Sequence, residues 1–219
     1  MKKLLLLIMT IPTLLFSQNY PGLGTWNVLN VRKNINQNYS IWAEGQIRSL
    51  ETYNKFHYEE IKAGVTYKVN NSLNFSINAG KYKTYTLGGN FESPVTTDET
   101  RIWEEVNYRT TFGRFINDQR IRVEQRFINT YSNRYRYRNS VTIPLNHKTL
   151  DNNTCFVNLY DEIFIIESVP FLNRNRIYYG VGYKLKNETI QLGYVKQFDQ
   201  KTTTNWIKNY LVAQLSISI

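Results

Sequence analysis

The chain has 219 residues, a formal net charge of +10, 15 % aromatic residues and a single cysteine, Cys155. One cysteine excludes an intramolecular disulfide, so the fold cannot rest on a disulfide framework. The basic balance raises nucleic-acid binding, but the charges are dispersed through strand-like segments rather than gathered in a patch or tail, so nucleic acid is not an expected partner.

The chain opens with Lys2-Lys3, an apolar run from Leu4 to Phe16, and then Ser17-Gln18-Asn19. That order of basic, apolar and polar residues describes a secretory signal peptide over residues 1–17. The run is too short and too interrupted, by Thr10, Pro12 and Thr13, for a membrane-spanning helix. No cysteine follows it, so a lipid-modified N-terminal cysteine is not expected. Without Lys2 and Lys3 the +10 becomes +8. Residues 18–219 suit a single domain, a length at which barrels often stay undivided.

Period-two alternation marks strands along the rest of the chain. Trp26 to Lys33 is the first and weakest segment. Tyr39 to Ser49 sets Tyr39, Ile41, Ala43, Gly45 and Ile47 against Ser40, Trp42, Glu44, Gln46 and Arg48. Glu60 to Val69 and Leu73 to Gly80 read as two arms joined by a two-residue turn at Asn70-Asn71. A loop from about Thr86 to Asp98 follows. Glu99 to Thr110 then alternates Arg101, Trp103, Glu105, Asn107 and Arg109 with Ile102, Val106 and Tyr108. Glu104 stands on the apolar parity, so a bulge or strand end is expected there.

Arg120 to Leu145 is the clearest hairpin. Arg120, Arg122, Glu124 and Arg126 share one face of its first arm, with Ile121, Val123 and Phe127 on the other. On the second arm Arg134, Arg136 and Arg138 alternate with Tyr135 and Tyr137. Cys155 to Ile166 alternates Val157, Leu159, Ile163 and Ile165 with Asn158, Tyr160, Glu162 and Phe164, and Asp161 is a second parity exception. In the next segment Arg174, Arg176, Gly180, Gly182 and Lys184 face away from Ile177, Tyr179, Val181 and Tyr183. Lys186 to Glu188 is a tight turn, and the last strand ends in Leu211, Ala213, Leu215, Ile217 and Ile219.

The chain is therefore expected to be all-β. Its segments, of about 10 to 13 residues, match a tilted membrane-crossing strand of roughly 9 to 11 residues better than the usual globular strand of about five or six. A closed antiparallel transmembrane β-barrel follows, with the apolar parity turned to lipid and the charged parity lining the lumen. About eleven segments are visible. Single-chain bacterial barrels usually have an even number, so about 12 strands are expected, with 10 as the alternative. Short turns at Asn70-Asn71 and Lys186 to Glu188 against longer loops at Leu50 to Lys55, Thr86 to Asp98 and Asp199 to Thr204 fit short periplasmic turns and longer external loops.

The series R-V-E-Q-R-F (122 to 127), R-Y-R-Y-R (134 to 138), I-P-L (143 to 145), D-E-I-F (161 to 164), N-R-I-Y-Y-G-V-G-Y (175 to 183) and L-G-Y (192 to 194) resembles the bacterial family catalogued as domain of unknown function number 2490. The resemblance covers most of the chain after the leader and is densest from Arg101 to Phe198. It implies a membrane β-barrel and supplies no mechanism, since the family has no established activity.

The charged rows define the candidate site: Arg101, Glu105, Arg120, Arg122, Glu124, Arg126, Arg136, Arg138, Glu162, Arg174 and Arg176. They could form basic rings selecting anionic solutes. The favoured alternative is a lumen plugged by its own ion pairs, with Arg122, Arg126, Arg136, Arg138 and Arg176 neutralising Glu105, Glu124 and Glu162. An unpaired charge in a confined interior costs several kcal/mol by order of magnitude, so pairing is demanded. Catalysis lacks support. The only histidines, His57 and His147, fall at opposite ends of the expected barrel, His57 near an external loop, and nothing selects Ser49 as a nucleophile for it. No cysteine cluster or histidine pair suggests a metal, no cofactor is expected, and the four tryptophans read as aromatic girdles. The sequence thus predicts an outer-membrane barrel, structural or narrowly solute-passing. Its expected partners are outer-membrane lipids and, during insertion, the barrel-assembly machinery. A lipid-modifying enzyme built around His57 is the alternative, and a soluble periplasmic ligand-binding barrel the third reading.

Overall fold

Why the chain closes on itself is visible in its register. The structure is a computed structural model describing residues 18–202 and 204–219, with side chains from residue 22. The leader expected over residues 1–17 lies outside the described residues. Eleven strands run among the described residues: β1 (Gln18–Asn34), β2 (Tyr39–Glu51), β3 (Asn54–Lys68), β4 (Leu73–Tyr85), β5 (Val95–Phe112), β6 (Phe115–Phe127), β7 (Tyr131–Pro144), β8 (Thr154–Ile166), β9 (Leu172–Lys184), β10 (Glu188–Gln200) and β11 (Asn205–Ser218). Each pairs with its sequence neighbours, and β1 pairs with β11, giving a closed barrel.

The strand number is eleven, between the expected twelve and its alternative of ten. In an up-and-down meander an odd count leaves the first and last strands pointing the same way. Closure therefore uses one parallel pair, with Leu29 opposite Leu215 and Arg32 opposite Ser218. Parallel pairing is slightly weaker per residue than antiparallel, yet it leaves no open edge. Gln18 and Ile219 consequently lie at opposite ends. The segment before Thr25 belongs to β1, which makes the strand expected to be weakest one of the longest. Residues 86–94 form a loop and hold no twelfth strand.

Strand tilt follows from the same register. From Leu29, partners lead through Gly45, Ile61, Lys81, Thr100 and Phe127 to Tyr131 on β7. In the other direction they lead through Leu215, Ile190, Tyr183 and Cys155 to Leu145. The two paths meet β7 fourteen residues apart, from Tyr131 to Leu145. A stagger of that size tilts the strands to about 35–45° from the barrel axis.

Several local expectations change. The connection at Asn70-Asn71 is not a two-residue turn: β3 ends at Lys68 and β4 begins at Leu73, and the Asn70 side chain accepts from the Ser72 and Leu73 amides at 2.8 and 2.9 Å. Asn36 does the same for Asn38 and Tyr39 between β1 and β2. Both are Asx turns, in which a side-chain oxygen replaces a backbone acceptor. No bulge occurs at Glu104, which keeps regular partners in Ile77 and Val123. The loop asymmetry is also incomplete, because residues 145–153 make a long connection at the end that carries the short turns.

Burial is inverted relative to a water-soluble barrel. Every strand turns apolar side chains outward, among them Ile61 at 67 % and Ile77 at 63 % exposed, while Arg122, Glu124, Glu162 and Arg176 are buried inside. Polar side chains on the outer wall bond to each other. Tyr137 donates to Gln119, Gln119 to Asn117, Asn117 to Asn139, Asn175 to Asp161 and Gln125 to Glu104. The two parity exceptions, Glu104 and Asp161, belong to this outer set.

The interior also holds apolar packing. Trp26, Val28, Tyr178, Val195, Tyr210 and Val212 form one cluster, extended by Tyr160, whose ring stacks on Tyr178 at 4.7 Å. Glycine makes room for these rings. A Cβ at Gly182 would stand 2.2 Å from Phe156 Cζ, and one at Gly193 would stand 2.5 Å from the Tyr178 ring. Trp26 and Trp103 are buried inside, and Trp42 packs against Trp103 at 6.4 Å. These tryptophans do not form the girdles expected of them, because they occupy the inward parity of their strands.

Candidate functional site

The alternation that gives β5 to β9 one charged face carries arginine and glutamate into the lumen. Cross-strand register then decides which of them meet. Glu124 on β6 has a fully buried side chain and is the hub of the first group. Arg134 Nε donates to its Oε2 at 2.7 Å and Arg136 Nη1 to its Oε1 at 2.5 Å, with Arg122 Nη1 at 3.3 Å. Arg122 also reaches Glu105 on β5, Nη2 to Oε2 at 2.6 Å.

Glu162 on β8 is the second hub. Arg136 Nη2 lies 2.7 Å from its Oε1, Arg120 pairs with the same oxygen, and Arg176 Nη1 stands 3.7 Å from Oε2. Arg136 therefore bridges both hubs. Glu99 is clamped by two forks: Arg101 reaches both its oxygens at 2.7 Å, and Arg126 reaches them at 2.5 and 3.1 Å. Bidentate pairs of this kind are the strong ones, because two parallel charge-assisted bonds fix the geometry. Arg174 pairs with Asp199, which also has Lys208 Nζ at 3.6 Å. Arg176 Nε donates to Gln197, which in turn bonds Asp199.

Aromatic rings fill the space between the charges. Phe164, 1 % exposed, has the guanidinium carbons of Arg136, Arg176, Arg134 and Arg174 at 4.4, 4.7, 5.3 and 5.6 Å from its ring centroid. Arg48 lies between Trp26 and Tyr58 at 3.7 and 4.3 Å. Arg101 covers Tyr82 at 3.7 Å. A cation over a ring face gains about 0.5–2 kcal/mol by its attraction to the ring quadrupole. Guanidinium is also weakly hydrated, which suits it to such a place.

A family profile described as "Protein of unknown function (DUF2490)" matches residues 23–208. The chain belongs to that family. Neither the curated proteins nor the solved structures compared with it give a match. The match spans the strands that build this lumen, from β1 into β11.

In this family member, all eleven residues singled out from the sequence lie on the inward parity. Two pairings differ from expectation. Arg126 meets Glu99 rather than Glu105, Glu124 or Glu162, because the tilted register sets it beside the start of β5. Arg138 forms no ion pair among the described residues, and its guanidinium lies over Tyr160 at 5.4 Å. Sequence reasoning missed Glu99, Arg134, Glu60, Arg48 and Lys62. Arg134 stood on the charged parity of its arm and Glu60 on that of β3, so alternation alone could have found both. Lys62 Nζ lies 2.6 Å from Glu60 Oε1, and Arg48 Nη2 lies 3.4 Å from its Oε2.

His57, three residues into β3 from the 52–53 turn, is buried. It lies inside β3, 6 % exposed, opposite the register shift at Arg48 and Ser49, with Nδ1 lacking a hydrogen-bond partner. Ser49 Oγ donates to the Glu51 carbonyl at 2.5 Å and is 2.6 Å from Thr25 Oγ1. Its hydroxyl is thus engaged with residues other than His57. His147 sits in the 145–153 connection at the far end of the barrel. Among the described residues no group of three His, Cys, Asp or Glu side chains could hold a metal ion.

Proposed function

We propose that this chain is an outer-membrane β-barrel, exported through a cleaved leader over residues 1–17, whose lumen is closed by its own arginine–carboxylate network. Its role on this reading is structural, or passage of a narrow class of small solutes along the charged interior. The inversion of burial carries the reading. An outer wall with Leu29, Ile61, Ile77, Ile121, Val181, Leu192 and Leu215 exposed around its whole circumference far exceeds the largest apolar patch of a typical soluble monomer, roughly 300–600 Å².

Aromatic residues support it. Tyr39, Tyr67, Tyr108, Phe112 and Phe115 are exposed toward the end holding Ile219, and Tyr53, Phe127, Tyr131 and Phe171 toward the other. Two such belts mark the interfaces of membrane barrels, where an amphipathic ring meets lipid and headgroup together. The bonds among Tyr137, Gln119, Asn117 and Asn139 spare the outer amides the cost of an unpaired polar group in lipid. A barrel of this size is narrower than the 16- to 18-stranded porins with open channels.

Heat-modifiable migration together with outer-membrane fractionation tests location, and recovery of folded protein without detergent removes the membrane reading. Planar-bilayer conductance tests passage. A folded but electrically silent barrel leaves the structural role alone.

A further inference from the structure

We propose that the lumen binds a small oxyanion, phosphate in class, at Arg120 and Arg138, where the arginine network gives way to the neutral polar wall leading toward the Ile219 end. This rests on the reading of the interior as charge-filled and solute-contacting, and it names the class of solute.

Register supplies the first observation. Arg120 and Arg138 are direct partners across β6 and β7, and Arg122 and Arg136 are the next inward pair. Like charges placed directly opposite one another in a ladder are destabilising. The Arg122–Arg136 pair is relieved by Glu124 Oε1, 3.3 and 2.5 Å away. The Arg120–Arg138 pair has only a shared carboxylate: Glu162, the partner of Arg138 across β7 and β8, is ion-paired to Arg120, Arg136 and Arg176 and not to Arg138. Arg120 turns to Glu162, with Glu105 Oε2 3.9 Å from its Nε, and Arg138 has no ion pair or hydrogen bond among the described residues. The Nε atoms of Arg120, Arg136 and Arg138 are all shielded from solvent without a hydrogen-bond partner.

Charge balance is the second observation. Glu105, Glu124 and Glu162 serve Arg120, Arg122, Arg134, Arg136 and Arg176, and Arg138 adds a sixth cation to those three acids. An uncompensated charge in a confined interior carries a heavy desolvation cost. A further anion lowers it.

The wall beside this pair is suited to an oxyanion. Asn158 Nδ2 lies 2.9 Å from both Ser140 Oγ and Thr142 Oγ1, so small hydroxyls and an amide follow Arg138 along the inner face of β7 and β8. The nearest acid on the way to the mouth, Asp118, is already clamped by Arg109 at 2.7 and 3.0 Å. Planar guanidinium forks match tetrahedral or carboxylate oxygens in bidentate geometry, which favours phosphate over chloride.

The test uses the full chain, purified in detergent and shown to be folded by heat-modifiable migration. Inorganic phosphate, and separately glycerol phosphate as the headgroup form of the same chemistry, is titrated calorimetrically with chloride as the background anion. Saturable binding is expected, weakened at least tenfold in Arg138→Gln, weakened less in Arg138→Lys, and unchanged in Lys201→Gln, which lies in the β10–β11 connection at the opposite mouth. Preference for glycerol phosphate would assign the site to a headgroup, and preference for inorganic phosphate to a free solute; either supports the site. Folded protein that binds neither, or an Arg138→Gln variant that binds as wild type does, overturns it. Phosphate binding by a barrel silent in planar bilayers keeps the site and removes passage. Conductance without phosphate binding removes the site and keeps passage.

Discussion

Arg120 and Arg138 stand directly opposite each other across β6 and β7, both turned into the lumen, and only Arg120 reaches a carboxylate. Arg136, two residues before Arg138 on the same face of β7, is ion-paired to two carboxylates, so the two should contribute unequally. Arg136→Gln strips a guanidinium from Glu124 and Glu162 at once, and breaking a buried pair costs about 3 kcal/mol by order of magnitude. Arg138→Gln removes the repulsion against Arg120 and no ion pair, while giving up a long cation–ring contact with Tyr160 and the attraction of Glu162 opposite it, so its loss should stay within about 1 kcal/mol. Urea unfolding in detergent micelles measures both. Equal losses for the two variants would show that Arg138 is held by something other than its present neighbours.

Phe164 is the apolar counterpart of that network, since four guanidiniums converge on its ring. Phe164→Leu keeps most of the volume and deletes the ring quadrupole. Each cation over a ring contributes about 0.5–2 kcal/mol, so the leucine variant should lose on the order of 2 kcal/mol. Phe164→Ala adds a cavity and should lose about 3–5 kcal/mol. A tyrosine at the same position retains the quadrupole and should recover most of the loss, provided its hydroxyl finds a carboxylate. Leucine matching wild type would mean that Phe164 acts through volume alone.

The outer wall offers a sharper contrast. Ile77 lies within β4, exposed, between Phe75 and Ala79 on the same face. In the proposed membrane orientation, Ile77→Arg places a charge against lipid near mid-height and should cost about 2–4 kcal/mol. In a water-soluble barrel the same change would be near neutral and would improve solubility. Folding into lipid vesicles, followed by heat-modifiable migration, separates the two, with Ile77→Leu as the control. A fully folded, undestabilised arginine variant argues against lipid at this face.

Much of this architecture was legible in the chain because the strand period is two and the barrel obeys it almost everywhere. The rows Arg120, Arg122, Glu124, Arg126 and Arg134, Arg136, Arg138 announce an inner face before any partner is known. Pairing was less legible, since it depends on stagger accumulated around the barrel. Arg126 meets Glu99 because Arg126 and Arg101 are cross-strand partners with Glu99 beside them, a relation that alternation alone does not contain. The burial of His57 is hidden from the sequence for a related reason. The register shift between Arg48 and Ser49 turns it inward, and parity cannot reveal a bulge. Tryptophan was misread by composition. It is common at membrane interfaces, but Trp26 and Trp103 stand on the inward parity, and position outweighed residue type.

The parallel seam is the least expected feature and can be tested by covalent trapping. Leu29 and Leu215 are direct partners across β1 and β11. Neighbouring strands lie about 4.7–4.9 Å apart, within the Cα separation of about 4.4–6.8 Å that a disulfide tolerates. Leu29→Cys with Leu215→Cys, in a Cys155→Ser background that removes the native exposed thiol, should cross-link on mild oxidation of the folded barrel. The bridge encloses nearly the whole chain, so the oxidised form should migrate differently from the reduced form after boiling. Moving one partner along the strand, with Leu29→Cys and Leu211→Cys, places the thiols four residues out of register and should abolish the bridge. An antiparallel closure reverses the direction of pairing along β11, and a barrel with a missing strand puts another neighbour beside β1; either would leave the first pair reduced. Efficient bridging by the in-register pair alone establishes that an odd number of strands closes the barrel.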